Sequence, residues 1–384
     1  MKRILITVLV AVLFTGLMAG CTGQVSTDQT QDSAPAAVEE SATTQEAAEF
    51  KPFKLGWAGA GSAEDMINFT RTAQWACDSA GGELVTDFSS TSAEALITVV
   101  ENLISSGCDM ISVPNFFGEA PIPQISKICQ ENQVYWVMWD TSITNSDIQG
   151  LLKNDPYFVG FTQEDQIQIG VHGAEGLANA GCQNIIIYEF GAGYVTEQRR
   201  QGVEKICAEN DINIVDVIQA PQDPKKAMAD SLLAHPEADG LFANGGYLDP
   251  MVSAIVESGR DVKVTCCDLF DGIDKYFDDG IVVSVDSGNM SSNYYAIMML
   301  LNAYYGTPLT TGEDTIYVPE FTFTSGDQVR EYEMYCQNDT TPVYTAEDLP
   351  LFLKVLNPDL TKEGFQQNVN DTWDLEKIVE KFSN

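Results

Sequence analysis

Residues 91–113 read TSAEALITVVENLISSGCDMISV. Leu96, Val99, Val100, Leu103 and Ile104 recur at helical spacing and line one face. Thr91 through Glu94 has the form of a capping box at the start, and Gly107 supplies the stop. Met110–Val113 is then a short apolar run closed by Pro114. A capped amphipathic helix that turns at once into such a run is one step of an alternating helix and strand chain.

The alternation extends outward in both directions. Upstream, Lys54–Ala60 predicts a strand, residues 64–80 a helix after a Gly/Ser loop, and Glu83–Phe88 the next strand. Downstream, a helix over residues 123–132 leads to a strand at Val134–Trp139. Tyr157–Phe161 is extended. The helix that follows, over residues 165–180, carries Ile167, Val171 and Ala174 on one face and ends at Gly181. Strands are expected at 184–188, 212–218, 241–243, 262–266 and 281–285, with helices between them and a last long helix over residues 293–305. One of these helices is expected to open at Asp249 as N-cap with Pro250 in its first position. Strands separated by helices of roughly 10–15 residues require parallel sheets with right-handed crossovers. Two similar runs, each with its own Gly-rich first turn, predict an α/β protein of two doubly wound parallel-sheet lobes.

Composition narrows the function. The 384 residues hold 20 Lys and Arg against 56 Asp and Glu, a net charge of −36. Such a chain repels phosphate backbones, which excludes nucleic-acid partners. With only two histidines, His172 and His235, there is little material for a His-based metal site or a Ser-His-Asp hydrolase. Both histidines are expected to be structural. The glycines Gly56, Gly59 and Gly61 fail the dinucleotide-loop spacing, so no enzyme activity, cofactor or metal is expected.

At the N-terminus, Lys2 and Arg3 precede an apolar run that closes on Met18-Ala19-Gly20-Cys21. A basic start, an apolar stretch and small residues make a secretory signal, too short for a permanent spanning helix. The tetrapeptide resembles a bacterial lipobox, which implies cleavage before Cys21 and diacylation of that residue. Residues 22–50 hold no Lys or Arg and only one aromatic, Phe50, a composition that cannot offset its ordering entropy and predicts a flexible tether. The remaining eight cysteines form no C-x-x-C pair and sit in apolar patterns, where small buried hydrophobes are expected in preference to disulfides.

In open α/β sheets the chemistry lies beyond the carboxyl ends of the strands. Trp57, Asn115, Trp139, Asp140, Asn244, Asp268 and Asp286 stand at such ends, and Arg199 stands in the helix after a Gly-rich turn. Carboxylate and guanidinium groups bond vicinal hydroxyls, and flat rings cover C–H faces, so this set suits a sugar or similar polyol. Trp57 and Trp139 could equally be core, Asp140 and Asp268 helix caps, and Asn244 a turn residue. Arg200 is expected at the surface.

Several segments taken in order resemble one family: TSAEALITVVENLISSGCDMISV at 91–113, ANGG at 243–246, VTCCD at 264–268 and DDGIVVSVD at 278–286. Over residues 53–335 the chain resembles the sugar-type (ribose/galactose-binding) substrate-binding proteins of bacterial ABC importers, the type I periplasmic binding proteins. The resemblance implies three crossings between lobes, near Thr162, Ser287 and Pro319. It places ligand contacts at Asp140, at Arg199 in an R-x-x-G pattern with Gly202, at Asn244 and at Asp268. The expected organisation is a signal peptide (1–20), a lipidated tether (21–52), an N-terminal lobe (53–162 with 288–318), a C-terminal lobe (163–287 with 319–345) and a C-terminal extension (346–384). The implied partners are a small-molecule ligand, an ABC permease and the cell membrane through the lipid, with the protein a monomer. A nucleoside- or autoinducer-type ligand, or a sensory role toward a chemoreceptor or histidine kinase, are the alternatives the resemblance leaves open.

Overall fold

The computed structural model describes residues 51–61, 66–139, 143–245, 248–338 and 340–383. The signal, Cys21, the tether up to residue 50 and Asp140 lie outside them. From the start of the described chain, β1 (Lys54–Ala60), α1 (Ile67–Ala80), β2 (Glu83–Ser90), α2 (Ala93–Ser105), β3 (Met110–Pro114), α3 (Ile122–Asn132), β4 (Tyr135–Trp139), α4 (Ser146–Lys153) and β5 (Phe158–Gln163) alternate. The chain then enters a second run: α5 (Gln166–Asn179), β6 (Asn184–Glu189), α6 (Tyr194–Glu209), β7 (Asn213–Gln219), α7 (Pro224–Ala234), β8 (Gly240–Asn244), α8 (Leu248–Ser258), β9 (Lys263–Cys267), α9 (Ile273–Asp278) and β10 (Val282–Ser287). After it come α10 (Ser292–Tyr304), β11 (Thr315–Tyr317), β12 (Phe321–Phe323), α11 (Gly326–Cys336), α12 (Lys362–Thr372) and α13 (Leu375–Ser383).

Two six-stranded sheets result, ordered β11-β5-β4-β3-β1-β2 and β12-β10-β9-β8-β6-β7. All pairings are parallel except β10 with β12. The chain passes between the sheets three times, at 163–166, 287–292 and 317–321. Two of these passages leave the carboxyl ends of β5 and β10, so the carboxyl ends of both sheets are turned toward the crossings.

Each sheet is covered on both faces, and alternation along the strands decides which side chain meets which layer. In the first sheet Ile111, Val113, Trp136 and Met138 pack with α2 and α3, while Leu55, Trp57, Val137 and Trp139 belong to a second apolar cluster that also takes in α1 and α10. In the second sheet Ile185, Ile187, Phe242 and Cys267 pack under α5 and α6, and Ile186, Tyr188, Leu241 and Cys266 under α7 and α8.

Some local expectations shift. The cap of α2 is Ser92, whose hydroxyl accepts from the Ala95 amide at 3.2 Å, so the box based on Thr91 does not form. Helix α8 begins at Leu248, ahead of the expected Asp249 cap, which leaves Pro250 in the first turn, where its missing N–H costs nothing. On α5 the buried face runs through Ile169, Val171, Ala174 and Leu177, and Ile167 is exposed. All eight described cysteines are free and buried.

Candidate functional site

In each sheet the strand order reverses between the first strand and its neighbours: β1 lies between β2 and β3, and β6 between β7 and β8. Loops leaving the carboxyl ends of the two strands that flank such a point diverge and leave a crevice. In the second lobe Phe190, just after β6, and Asn244 and Gly245, at the end of β8, stand at this point. A methyl placed on Gly245 would lie 3.3 Å from the Phe190 ring, 3.5 Å from Arg199 Nη1 and 3.6 Å from Asp268 Oδ2. Sequence reasoning brought Arg199, Asn244 and Asp268 forward separately; the fold brings all three to one spot.

Arg199 reaches it from α6 because α5 and α6 press backbone to backbone. Gly170 and Gly202 make the approach: a Cβ on Gly170 would stand 1.9 Å from the Arg199 carbonyl oxygen, and one on Gly202 2.2 Å from the Ile167 carbonyl oxygen. The R-x-x-G spacing thus puts the guanidinium at the crevice and the glycine at the helix contact, one turn apart. Arg199 is only 6% exposed and donates from Nε to Gln166 Oε1 at 2.7 Å; Gln166 in turn donates to Glu164 at 3.2 Å. Burial works against its charge, but Cys267, Asp268, Glu320 and Glu164 more than offset this and hold the guanidinium firmly protonated. Burial raises the Asp268 carboxyl above its ordinary value, with Arg199 opposing. Asp268 also has φ 75°, a left-handed conformation uncommon outside glycine, and such backbone concentrates at functional sites. Asn244 is fully buried; its Nδ2 donates to the Thr196 carbonyl at 3.2 Å while Oδ1 has no partner. An unpaired buried acceptor costs about 1–3 kcal/mol, so Asn244 Oδ1, near the opposite charges of Arg199 and Asp268, has room in its bonding for a donor.

In the first lobe the aromatic expectation is corrected. Trp57 and Trp139 end their strands but face α1 and α10, and both are completely buried. Their rings stack at 5.4 Å and 22°, Trp57 Nε1 donates to Asn293 Oδ1 at 2.7 Å, and Phe69 of α1 packs on Trp139 at 5.1 Å. They are core. The rings that stand further out are Phe88, tilted against Trp57 at 5.7 Å, and Phe116, edge-on to Trp139 at 5.2 Å and 37% exposed. Asn115, half-buried, stands beside Phe116 after β3.

Asp286 is placed differently as well. Its carboxylate is taken up by His172 Nδ1 at 3.0 Å and Thr322 Oγ1 at 2.7 Å, so it ties β10 to α5 and β12. His172 is held above its ordinary value chiefly by that hydrogen bond. Arg200, expected at the surface, forms a forked pair with the buried Glu189. Glu164, Gln166, Phe190 and Glu320 were not singled out from the sequence, because they act from crossings and loops where no periodicity marks them.

Known proteins agree with this architecture. The family described as periplasmic binding protein domain matches residues 58–307, and the chain belongs to that family. Among solved structures, an ABC transporter periplasmic solute-binding protein from Actinobacillus succinogenes 130z with bound D-allose is 23% identical, with a TM-score of 0.62 over 73% of this chain and 100% of that one. A galactofuranose-binding protein is 17% identical with a TM-score of 0.62, covering 75% and 99%. A solute-binding protein from Bacillus halodurans C-125 with bound myo-inositol is 18% identical with a TM-score of 0.60, covering 74% and 98%. No curated protein matches. Among the described residues no helix is long and apolar enough to cross a membrane, and no cluster of His, Cys, Asp or Glu could hold a metal ion.

Proposed function

We propose that this protein captures a small polyhydroxylated ligand, a sugar, between its two lobes outside the cytoplasm and delivers it to an ABC permease without chemically altering it. Lipid on Cys21 tethers it to the cell membrane, and it works as a monomer. The observation that carries the reading is the Arg199–Asp268 pair at the β6/β8 crevice, beside the unpaired Asn244 Oδ1 and the exposed Phe190 ring. A fixed guanidinium and carboxylate offer donors and acceptors to adjacent hydroxyls, Asn244 asks for a hydroxyl proton, and the ring takes a C–H face. The D-allose and myo-inositol bound by similar folds in Actinobacillus succinogenes and Bacillus halodurans, both polyhydroxylated, are consistent with this.

The charge balance at the crevice narrows the class. One guanidinium faces Asp268, Glu164 and Glu320, in a chain of net charge −36. Sugar phosphates and sugar acids would enter against that field, so the ligand is neutral or carries an amine. Calorimetric titration of the full-length protein in detergent against neutral sugars, amino sugars, sugar acids, sugar phosphates and nucleosides tests both points. Heat with a neutral or amino sugar, lost in Arg199→Gln, is expected. Binding of nucleosides alone would replace the sugar reading, and tight binding of a sugar phosphate would overturn the charge argument.

A further inference from the structure

The described residues beyond α11 do not trail away from the fold; they converge on two of the three crossings. Trp373, at the end of α12, is 2% exposed, and its Nε1 donates to the carbonyl of Gly288 at 3.1 Å, on the second crossing. The same indole stacks on Phe321 at 5.0 Å and 21°, where the third crossing enters β12. Gly288 itself has φ 104°, and a Cβ there would lie 2.9 Å from the Phe321 ring, so the two crossings touch each other under the indole. About two helical turns earlier on α12, Gln366 clasps the backbone of Tyr317 from both sides, accepting from its amide at 2.9 Å and donating to its carbonyl at 2.6 Å.

The two ends of the segment are anchored on different lobes. Tyr344 meets Tyr295 of α10, hydroxyl to hydroxyl at 2.5 Å, and α10 covers the first sheet. Phe382 of α13 stacks on Tyr335 of α11 at 5.9 Å and 6°, and Arg330 of α11 is bonded to Asp274 of α9 in the second lobe at 2.9 Å. A hinge works by changing φ and ψ at a few residues where the chain crosses between bodies. Here those residues are held by side chains from a separate element that is itself tied to both bodies.

We infer that residues 344–383 form a brace across the hinge, with Trp373 and Gln366 as positioning residues that set how far the lobes can rotate and hence how strongly ligand binding is coupled to closure. The inference needs no particular ligand, because the brace acts on the crossings in the ligand-free protein. It therefore stands or falls separately from the sugar reading.

Hydrogen exchange of the full-length ligand-free protein in detergent tests it, using Trp373→Phe, which keeps a ring on Phe321 but loses the bond to Gly288, and Gln366→Ala. The expected result is exchange about fivefold faster for amides of residues 287–292 and 317–322, the loss of one net hydrogen bond, with amides of β3 and β6 unchanged. Small-angle scattering should show a larger radius of gyration for both variants without ligand. Unchanged exchange at the crossings in both variants would overturn the brace. Uniform acceleration across both sheets would overturn it too, since it would mean the segment only adds to global stability.

Discussion

Burial and the charge of Arg199 pull in opposite directions at Asp268, and the two can be separated by experiment. Because the folded protein raises this carboxyl above its unfolded value, its ionised form is a burden on the fold at neutral pH. Asp268→Asn should therefore keep or slightly raise the melting temperature at pH 7 while abolishing the melting shift given by a bound sugar; a large fall in melting temperature without ligand would return Asp268 to a structural role. His172 makes the reverse kind of test. Asp286 raises its folded value, burial opposes, and Thr322 of β12 with Glu175 and Asp165 of α5 complete its surroundings. A raised histidine gives stability that is complete below its unfolded value of about 6.5 and disappears as pH climbs through the folded value. The difference in urea midpoint between the parent and His172→Gln should thus be largest near about pH 5.5 and shrink in alkali. A difference that grew with pH would rule out the His172–Asp286 bond as its source.

Between elements, the contact of α5 with α6 joins stability to ligand recognition. Gly170→Ala forces a methyl against the Arg199 carbonyl, a backbone atom that cannot swing aside. Overpacking of this kind costs about 1–3 kcal/mol, and it should also weaken ligand binding by shifting the helix that bears the guanidinium. Paired chemical denaturation and calorimetry check this; a stability loss with unaltered affinity would detach Gly170 from the site. The same contact shows what could be read in advance. The βα rhythm was legible because apolar spacing records which faces are buried; the closeness of Asn244 and Asp268 could be read from strand ends, where crevices form, and that of Arg199 from the R-x-x-G spacing on its helix. Trp57, Trp139 and Asp286 were misplaced because a position at a strand end does not say which face the side chain takes. Alternation does, once the layers are known: Trp57 shares parity with Leu55, and Asp286 stands opposite the His172 helix. Phe190, Glu164 and Glu320 lie on irregular segments, whose side chains only the tertiary structure brings to Arg199. The short strands β11 and β12 were missed for a related reason, since three residues carry too little pattern.

For the molecule as a whole, the proposed anchor makes a simple demand: Cys21→Ser should move the protein from the membrane fraction into the soluble one while leaving sugar affinity unaltered, read by fractionation and calorimetry. Retention in the membrane would show a hold other than lipid. A different consequence follows from the eight described cysteines, all of them sealed inside and none bridged. Cys77, Cys129, Cys266, Cys267 and Cys336 are driven far from thiolate by burial, and Cys108, Cys182 and Cys207 are pushed up to about 11. Once folded, they are deaf to oxidants; while the chain is still open, any two of them can be joined wrongly. A polypeptide threaded across a membrane unfolded would thus run a race between collapse and oxidation, and its yield should depend on how much air and how little reductant it meets in the first moments after it emerges.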